Sequence, residues 1–423
     1  MPTKAERLEA TLLEEAPAAW ACLNRKGRAA AYPDTGIPFQ SGQASGCTYK
    51  ATIGQVTDGR GGALTLNTLS RHVVGLEDRD VFLYSAQGGL PALRRAWAGW
   101  QADERGDLEL PLPMVTAGLT NGLSLAATMF ADADTEVLVS DPYWGNYNGI
   151  FGVYGGAWLR PYRFFSEDGG VDLEAMREAL AQVRGKKAVL VLNFPGNPSG
   201  YTPTLEEADA IVGIVLAHPG PLVVICDDAY HGMVYREGHL KRSLFWDLSR
   251  RADPAKLLPV KVDGATKELF FFGGRVGFLT FGVGGAAGAA LEDKARALCR
   301  FTVSAMPGPS QALVLAALSE PEVLQREIAE IRGELRRRFD VLTDALESLE
   351  GTLLTPYPAN SGCFCLVGVD PSLDADALRL KLIEEQSVGV ISVKSLNALR
   401  IAYCSMAIED IPEVVARLKA AVS

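Results

Sequence analysis

The middle of the chain alternates short apolar runs with longer stretches of helical spacing. Three runs have the pattern of strands buried on both faces of a parallel sheet: residues 136–140, 187–192 and 222–226. Residues 172–183 and 205–218 carry apolar side chains at helical spacing. Thr204 and Glu207 form a capping-box pattern where the second of these helices begins. This alternation predicts an α/β fold with a mostly parallel sheet between helices.

A long helical pattern separates this part from a smaller one. Residues 321–349 are charged, helically spaced and free of turn signals, as in helices that bridge two domains. Beyond them, short patterns indicate a second, smaller α/β domain: strands near 362–369 and 399–403, and helices near 374–385 and 408–421. We therefore expect three parts: an N-terminal segment, 1–60, that completes the small domain; a large domain, 61–320; and a small C-terminal domain, 321–423.

Composition narrows the class of protein. With 48% apolar and 22% charged residues, the 423-residue chain is neither a disordered tail nor a fibre nor a small disulfide scaffold. The formal charge of 41 − 51 = −10 makes nucleic acid an unexpected partner. No apolar run approaches the length of about 18 residues that a membrane span needs. Residues 1–18 are acidic and amphipathic, unlike an export signal.

The seven cysteines lack paired metal-ligand spacing, so we expect reduced thiols in a cytoplasmic protein and no metal site.

Polar residues follow the predicted strands where each one ends. The segment 193–200, NFPGNPSG, follows one buried run, and Asp227 and Tyr230 follow the next. Lys267 comes later, with Arg275 eight residues after it. Carboxyl ends of parallel strands are where α/β folds bind ligands. Taken singly, these features also fit a tight turn, a helix cap and a solvated lysine.

In this order and spacing, residues 84–403 resemble the fold type I pyridoxal-phosphate enzymes, specifically the class I and II aminotransferases, which include aspartate aminotransferase. The resemblance implies the fold type I architecture and pyridoxal 5′-phosphate as cofactor. It implies that Lys267 is the Schiff-base lysine and that Asp227 keeps the pyridine nitrogen protonated. It assigns Tyr230 and Asn197 to the 3′-oxygen of the ring.

The same resemblance implies a phosphate site and a ring-stacking residue. Gly118, Leu119 and Thr120, at the start of a helical run, match the backbone cradle for the phosphate. Arg275 matches the arginine that pairs with it. Trp144 falls where the family places an aromatic ring on the cofactor.

One departure from the family concerns the phosphate. Many relatives carry a hydroxyl three residues before the lysine, where this chain has Gly264, and Thr266 is the alternative donor. Tyr84 resembles the tyrosine that reaches the phosphate of a partner subunit, which implies a homodimer with active sites at the interface.

For the substrates, Arg400 matches the arginine that takes the α-carboxylate in a two-pronged bond, beside Asn197 and Trp144. Arg300 lies where aspartate-type relatives bind a distal carboxylate, although solubility alone also explains a charged helix end. We therefore expect amino acid and 2-oxo acid substrates, with aspartate, glutamate or aromatic donors and 2-oxoglutarate as acceptor.

Other functions remain open from the sequence. A C–S or β-lyase or a decarboxylase uses the same cofactor frame, which does not separate these reactions from transamination. A ligand-sensing regulator would need a DNA-binding domain before the fold, and a non-catalytic binding protein would have no need of Lys267.

Overall fold

The structure is a computed structural model that describes residues 3–32 and 36–422. Its strands are β1 Tyr49–Lys50, β2 Met114–Ala117, β3 Glu136–Asp141, β4 Trp158–Arg163, β5 Ala188–Leu192, β6 Leu222–Asp227, β7 Leu257–Asp263, β8 Val276–Phe281, β9 Leu354–Pro356, β10 Cys365–Val369, β11 Val388–Gly389, β12 Ile391–Val393 and β13 Ala398–Ile401.

The α-helices are α1 Lys4–Glu15, α2 Pro17–Cys22, α3 Arg25–Ala29, α4 Gly36–Gln43, α5 Asn67–Ser70, α6 Asp78–Phe82, α7 Pro91–Trp100, α8 Ala102–Arg105, α9 Leu119–Phe130, α10 Leu173–Gln182, α11 Leu205–Leu216, α12 Leu244–Arg251, α13 Ala265–Glu268, α14 Gly285–Thr302, α15 Gly308–Leu318, α16 Pro321–Leu346, α17 Ala375–Gln386 and α18 Ile411–Ala421. A π-helix covers Asn148–Tyr154.

A seven-stranded sheet in the order β2-β8-β7-β6-β5-β3-β4 forms the centre of the larger part. Strands β3 to β7 are parallel to their neighbours in this set, and β8 runs antiparallel to both β2 and β7. The expected mostly parallel, mixed sheet is therefore confirmed. The capping box at Thr204 is present, with its hydroxyl accepting from the Glu207 amide.

The sheet is buried on both faces because its strands alternate between two apolar clusters. Ile225 of β6 packs in one cluster, and its neighbours Val224 and Cys226 pack in the other. Helices cover both faces, because α9 packs in the first cluster and α12 packs in the second. The carboxyl ends of β5, β6 and β7 come together at one edge, which places the segments after them next to each other.

The C-terminal part contains an antiparallel sheet in the order β12-β13-β10-β9 and a parallel pair of β1 with β11. The N-terminal segment thus contacts this part through β1, and the Gln40 carboxamide bonds the Ser392 backbone. The strands are shorter than expected: β10 begins at Cys365, and Tyr403 lies in a 3-10 turn. Helix α16 ends at Leu346, and a 3-10 turn continues it to Leu349.

The three-part division of the chain stays a prediction. Residues 1–2 and 33–35 of its first part and residue 423 of its third part lie outside the described residues.

None of the described helices combines the length and the apolar composition that a bilayer crossing requires. Across the same described ranges, no group of three or more His, Cys, Asp and Glu side chains is placed to hold a metal ion.

Candidate active site

A cavity of about 180 Å³ lies at the carboxyl edge of the large sheet. Eight residues singled out from the sequence line it: Leu119, Thr120, Trp144, Asn197, Asp227, Tyr230, Lys267 and Arg275. Leu123, Asn193 and Ala229 complete the lining. The fold thus brings together motifs spread over more than a third of the sequence.

Lys267 enters the cavity from α13, a single turn that follows β7. Its Nζ lies 5.1 Å from the centre of the Tyr230 ring. Burial lowers the pKa of Lys267, although Asp227 opposes this by favouring the charged amine. A lysine with a lowered pKa is more often neutral, and a neutral amine can attack a carbonyl or accept a proton.

Asp227 ends β6 and is buried beside the cavity. Its Oδ2 accepts a hydrogen bond of 2.6 Å from the Tyr147 hydroxyl, whereas its Oδ1 has no partner among the described residues. Burial raises the pKa of Asp227, and the bond from Tyr147 and the charge of Lys267 oppose the rise. A buried carboxylate oxygen without a partner fits a protonated ring nitrogen, as the cofactor would supply.

Arg400 on β13 reaches the same region from the C-terminal part. Its Nη1 donates to Asn197 Oδ1 at 3.1 Å and its Nη2 donates to the Thr52 carbonyl at 2.6 Å. Its guanidinium carbon lies 4.3 Å from the centre of the Phe364 ring, and its Nε has no partner in the part of the chain that the structure describes. Burial lowers the pKa of Arg400 to about 10. A buried guanidinium with a free donor is suited to bind a carboxylate.

A second anion site lies where α9 begins. Gly118 is the N-cap and provides no side-chain cap, so the amides of the first turn are available to an anion. Gly118 has φ +77°, and a Cβ there would lie 2.5 Å from Nη2 of Arg275. The guanidinium therefore packs against the bare backbone. Helix N-terminus and arginine together fit a phosphate group.

Close backbone packing also explains the departure at Gly264. A Cβ on Gly264 would lie 2.5 Å from the Gly277 Cα of β8, so a serine cannot fit without a backbone shift. The alternative donor, Thr266, is buried and donates its hydroxyl to the Val276 carbonyl at 3.1 Å. In this structure the Thr266 hydroxyl is therefore bonded to β8, and its contact with the phosphate stays a prediction.

Two residues chosen from the sequence lie elsewhere. Tyr84 is 93% exposed, and Arg300 is exposed near the end of α14. Neither belongs to the described lining of this chain's own cavity.

Several site residues received no role from the sequence. Tyr147 lies three residues after Trp144, and Asn193 opens the NFPGNPSG segment. The Asn193 carboxamide donates to the Asp227 carbonyl at 2.8 Å and accepts from the Asn197 amide at 2.9 Å, so it links two motifs. Phe364 lies between Tyr230 and Arg400 and contacts both. Tyr147 and Asn193 lie next to or within motifs that the sequence analysis named, but only the fold shows which groups their side chains contact.

Comparison with known proteins gives a consistent result. The family model "Aminotransferase class I and II" matches residues 53–418. The chain is 27% identical to an aspartate aminotransferase of Rhizobium meliloti (strain 1021) over 360 residues, 80% of this chain and 81% of that protein. It is 24% identical to an aspartate aminotransferase of Geobacillus stearothermophilus over 278 residues, which span 65% of this chain and 66% of the relative, just under two thirds.

A crystal structure of an aminotransferase from Anaerococcus prevotii superposes with a TM-score of 0.83 at 19% identity, covering 95% of this chain and 99% of that one. The likeness shows the fold, which is the fold type I architecture of pyridoxal-phosphate enzymes. From the family match over most of its length, this chain belongs to the class I and II aminotransferase family.

Proposed function

We propose that the protein is a pyridoxal-phosphate-dependent aminotransferase that moves an amino group from an L-amino acid to a 2-oxo acid. One observation carries the proposal: the unpartnered Oδ1 of Asp227 and the amine of Lys267 border one cavity with the uncapped start of α9. These three features match the ring nitrogen, the aldehyde and the phosphate of one cofactor.

The roles of the residues follow from their positions. When bound, the cofactor provides an electron sink for the substrate's α-carbon. Arg275 and the first amides of α9 would hold the phosphate, and Trp144 would cover the ring. Asp227 would keep the ring nitrogen protonated, and Tyr147 orients that carboxylate.

Lys267 carries the acid–base chemistry. With the cofactor bound, the Lys267 amine, which is neutral more often because burial lowers its pKa, would accept the proton from the α-carbon of the substrate. As the ammonium it would give that proton back when the amino group is transferred. Tyr230 and Asn197 would hydrogen-bond the ring oxygen. Arg400 binds the substrate's α-carboxylate, for which its unpartnered Nε remains available.

For the substrate class we propose aspartate, glutamate or aromatic donors, with 2-oxoglutarate as acceptor. The aspartate aminotransferases among the relatives support the first of these. Because Arg300 is exposed and lies outside the lining of this chain's own cavity, it would bind the distal carboxylate of a dicarboxylate in the site of a partner subunit.

We further propose a homodimer in the cytoplasm. An apolar surface of Val81, Phe82, Leu83 and Tyr84 is exposed on one side of the chain. The Ser85 hydroxyl donates to the Met306 carbonyl at 2.6 Å, so this surface adjoins the loop after α14. Phe301, in the last turn of α14, is also exposed. Large exposed apolar patches mark interfaces, and a partner here would receive Tyr84. The seven free cysteines, six of them buried, support a reducing compartment.

The test is a spectral titration of the cofactor-loaded protein with single amino acids, followed by an oxo acid. Transamination predicts that the band of the lysine-linked cofactor disappears and that of its amine form grows, with stoichiometric oxo acid released. A 2-oxo acid then reverses the change. Release of ammonia or carbon dioxide without conversion of the cofactor would replace the proposal with a lyase or a decarboxylase. No response to any donor would indicate a sensor.

A further inference from the structure

A buried ion-pair cluster lies behind the cavity, at the ends of β6 and β7. The Lys261 Nζ is paired with Asp263 Oδ2 and lies 3.4 Å from Asp228 Oδ2. Lys261 is 1% exposed, Asp263 0% and Asp228 5%. We call these three residues the Lys261 cluster. A fully buried lysine is rare and requires paired carboxylates, so this one has a specific local cause.

The cluster joins the two chain segments that carry catalytic groups. Asp228 directly follows Asp227, and Asp263 precedes Lys267 by four residues. In the sheet, Lys261 pairs in register with Cys226, and Asp227 pairs with Val262. Both carboxylates of the Lys261 cluster are therefore within four residues of a catalytic side chain in the sequence.

The Lys261 cluster approaches these segments from outside the cavity. Lys261 is absent from the described lining, and its Nζ lies 5.9 Å from the ring centre of Trp246, which belongs to the apolar cluster on the other face of the sheet. Asp263 also accepts hydrogen bonds from α7 and the residue after it: Trp97 Nε1 donates to its carboxylate at 3.1 Å, and Gln101 Nε2 donates to the same oxygen.

Lys261 provides the positive charge that lies between the buried carboxylates of Asp228 and Asp263. Without it, two carboxylates would share a buried site, and like charges in such a site either become protonated or move apart. Either response loosens the contact between the end of β6 and the end of β7. Asp227 is the last residue of β6, and Lys267 follows the end of β7 by four residues, so a shift between the two ends would change the separation of these side chains.

Resting on the proposed function, we propose that Lys261 is a positioning residue. Its ammonium ties the end of β6 to the end of β7 and so fixes how Asp227 and Lys267 face each other. It makes no contact with substrate or cofactor.

Lowering the pH should weaken the ion pair between Lys261 and Asp228. Burial raises the pKa of Asp228 to about 6, and Lys261, His231 and Ser243 oppose the rise while Asp263 adds to it. The carboxylate form of Asp228 is therefore present above about pH 6 and is lost as the pH falls through that value. Below it, the Lys261–Asp263 pair alone remains.

The experiment compares Lys261→Met with a matched control, Arg379→Met. Arg379 is 2% exposed and pairs with Asp376 at 2.8 Å, but it lies on α17, away from the cavity. Each variant is loaded with pyridoxal phosphate and assayed for melting temperature, for kcat and KM, and for the pH midpoint at which the visible band of the lysine-linked cofactor titrates.

In Lys261→Met we expect kcat to fall by about 10- to 100-fold, since small misplacements of reacting groups cost this much. The pH midpoint of the band should shift as well. KM should change by less than about twofold, because Arg400 lies on β13 in the C-terminal part. In Arg379→Met the melting temperature should fall by a similar amount, while kcat and the pH midpoint of the band stay those of the wild type.

Asp228→Asn is the second variant, for the case that Lys261→Met does not fold. It removes the ion pair between Lys261 and Asp228 and leaves the pair between Lys261 and Asp263, so we expect it to fold. It should shift kcat and the band midpoint in the same direction by less, and the wild type should approach it below about pH 6. Variants that lose only stability, with kcat and band unchanged, would overturn the positioning role. A wild-type protein that forms no band with pyridoxal phosphate would instead refute the proposed function itself.

Discussion

Replacing Tyr147 by Phe tests the electrostatics of the site at one atom. The substitution removes the hydroxyl that donates to Asp227 Oδ2 at 2.6 Å and keeps the buried ring. Its packing against Trp144 and Phe151 would remain. The change therefore isolates one hydrogen bond to a buried carboxylate.

The expected magnitude follows from the kind of bond. Hydrogen bonds to charged groups contribute about 1.5–3 kcal/mol, which at about 1.4 kcal/mol per tenfold corresponds to a loss of roughly 10- to 150-fold in kcat/KM. The sign is also defined. Burial already raises the pKa of Asp227, and the Tyr147 bond opposes that rise. Without the bond the pKa rises further, so the carboxylate form is lost at a higher pH on acidification.

The assay is kcat/KM for a good donor as a function of pH. In Tyr147→Phe the acid limb should move to higher pH, and the deficit should shrink as the pH rises. Tyr143→Phe is the matched control, because Tyr143 stacks beside Tyr147 but donates its hydroxyl to Asn148. An acid limb unchanged in Tyr147→Phe, or moved equally in both variants, would show that the Tyr147 hydroxyl does not stabilise the Asp227 carboxylate.

Three further substitutions test other parts of the site. Lys267→Ala should abolish turnover while cofactor binding persists by fluorescence titration, and unimpaired turnover would remove the assignment of this lysine. Gly118→Ala places a Cβ against Arg275 in a backbone conformation that costs a non-glycine residue about 1–3 kcal/mol, so phosphate and cofactor affinity should fall by roughly 5- to 150-fold. Gly273→Ala, where a Cβ meets nothing within 4 Å, should bind both as the wild type does, and equal losses would argue against the cradle. Arg300→Ala should reduce kcat/KM for dicarboxylate donors far more than for aromatic ones, and equal losses would exclude it from the substrate site.

The sequence predicts the parts of this site that lie at strand ends. Asn197 and Asp227 follow apolar runs that could be read directly, and parallel strands bring such ends to one edge. Lys267 was identified through the family resemblance, since the strand before it, β7, was not predicted. The central strands were predicted to within one residue of their observed bounds for the same reason, since both faces are buried.

Contacts between distant segments were not predictable in the same way. Tyr147 meets Asp227 across 80 residues of chain, and no local pattern marks that pairing. Lys261 lies in a strand, where a lysine is by default expected to be solvated, and only the structure shows its buried partners. Helix α9 begins at Leu119, directly after Gly118, which leaves the strand with φ +77° and starts the turn.

The central claim is that Lys267 carries the cofactor in this cavity. Borohydride reduction of the pyridoxal-phosphate-loaded protein converts the C=N bond between lysine and cofactor into a stable amine, and peptide mass mapping then locates the label. We expect a stoichiometric label on Lys267 and none on Lys261, which is also buried but lies outside the described lining of the cavity. A label on any other lysine, or no label on a protein that takes up the cofactor, would contradict it.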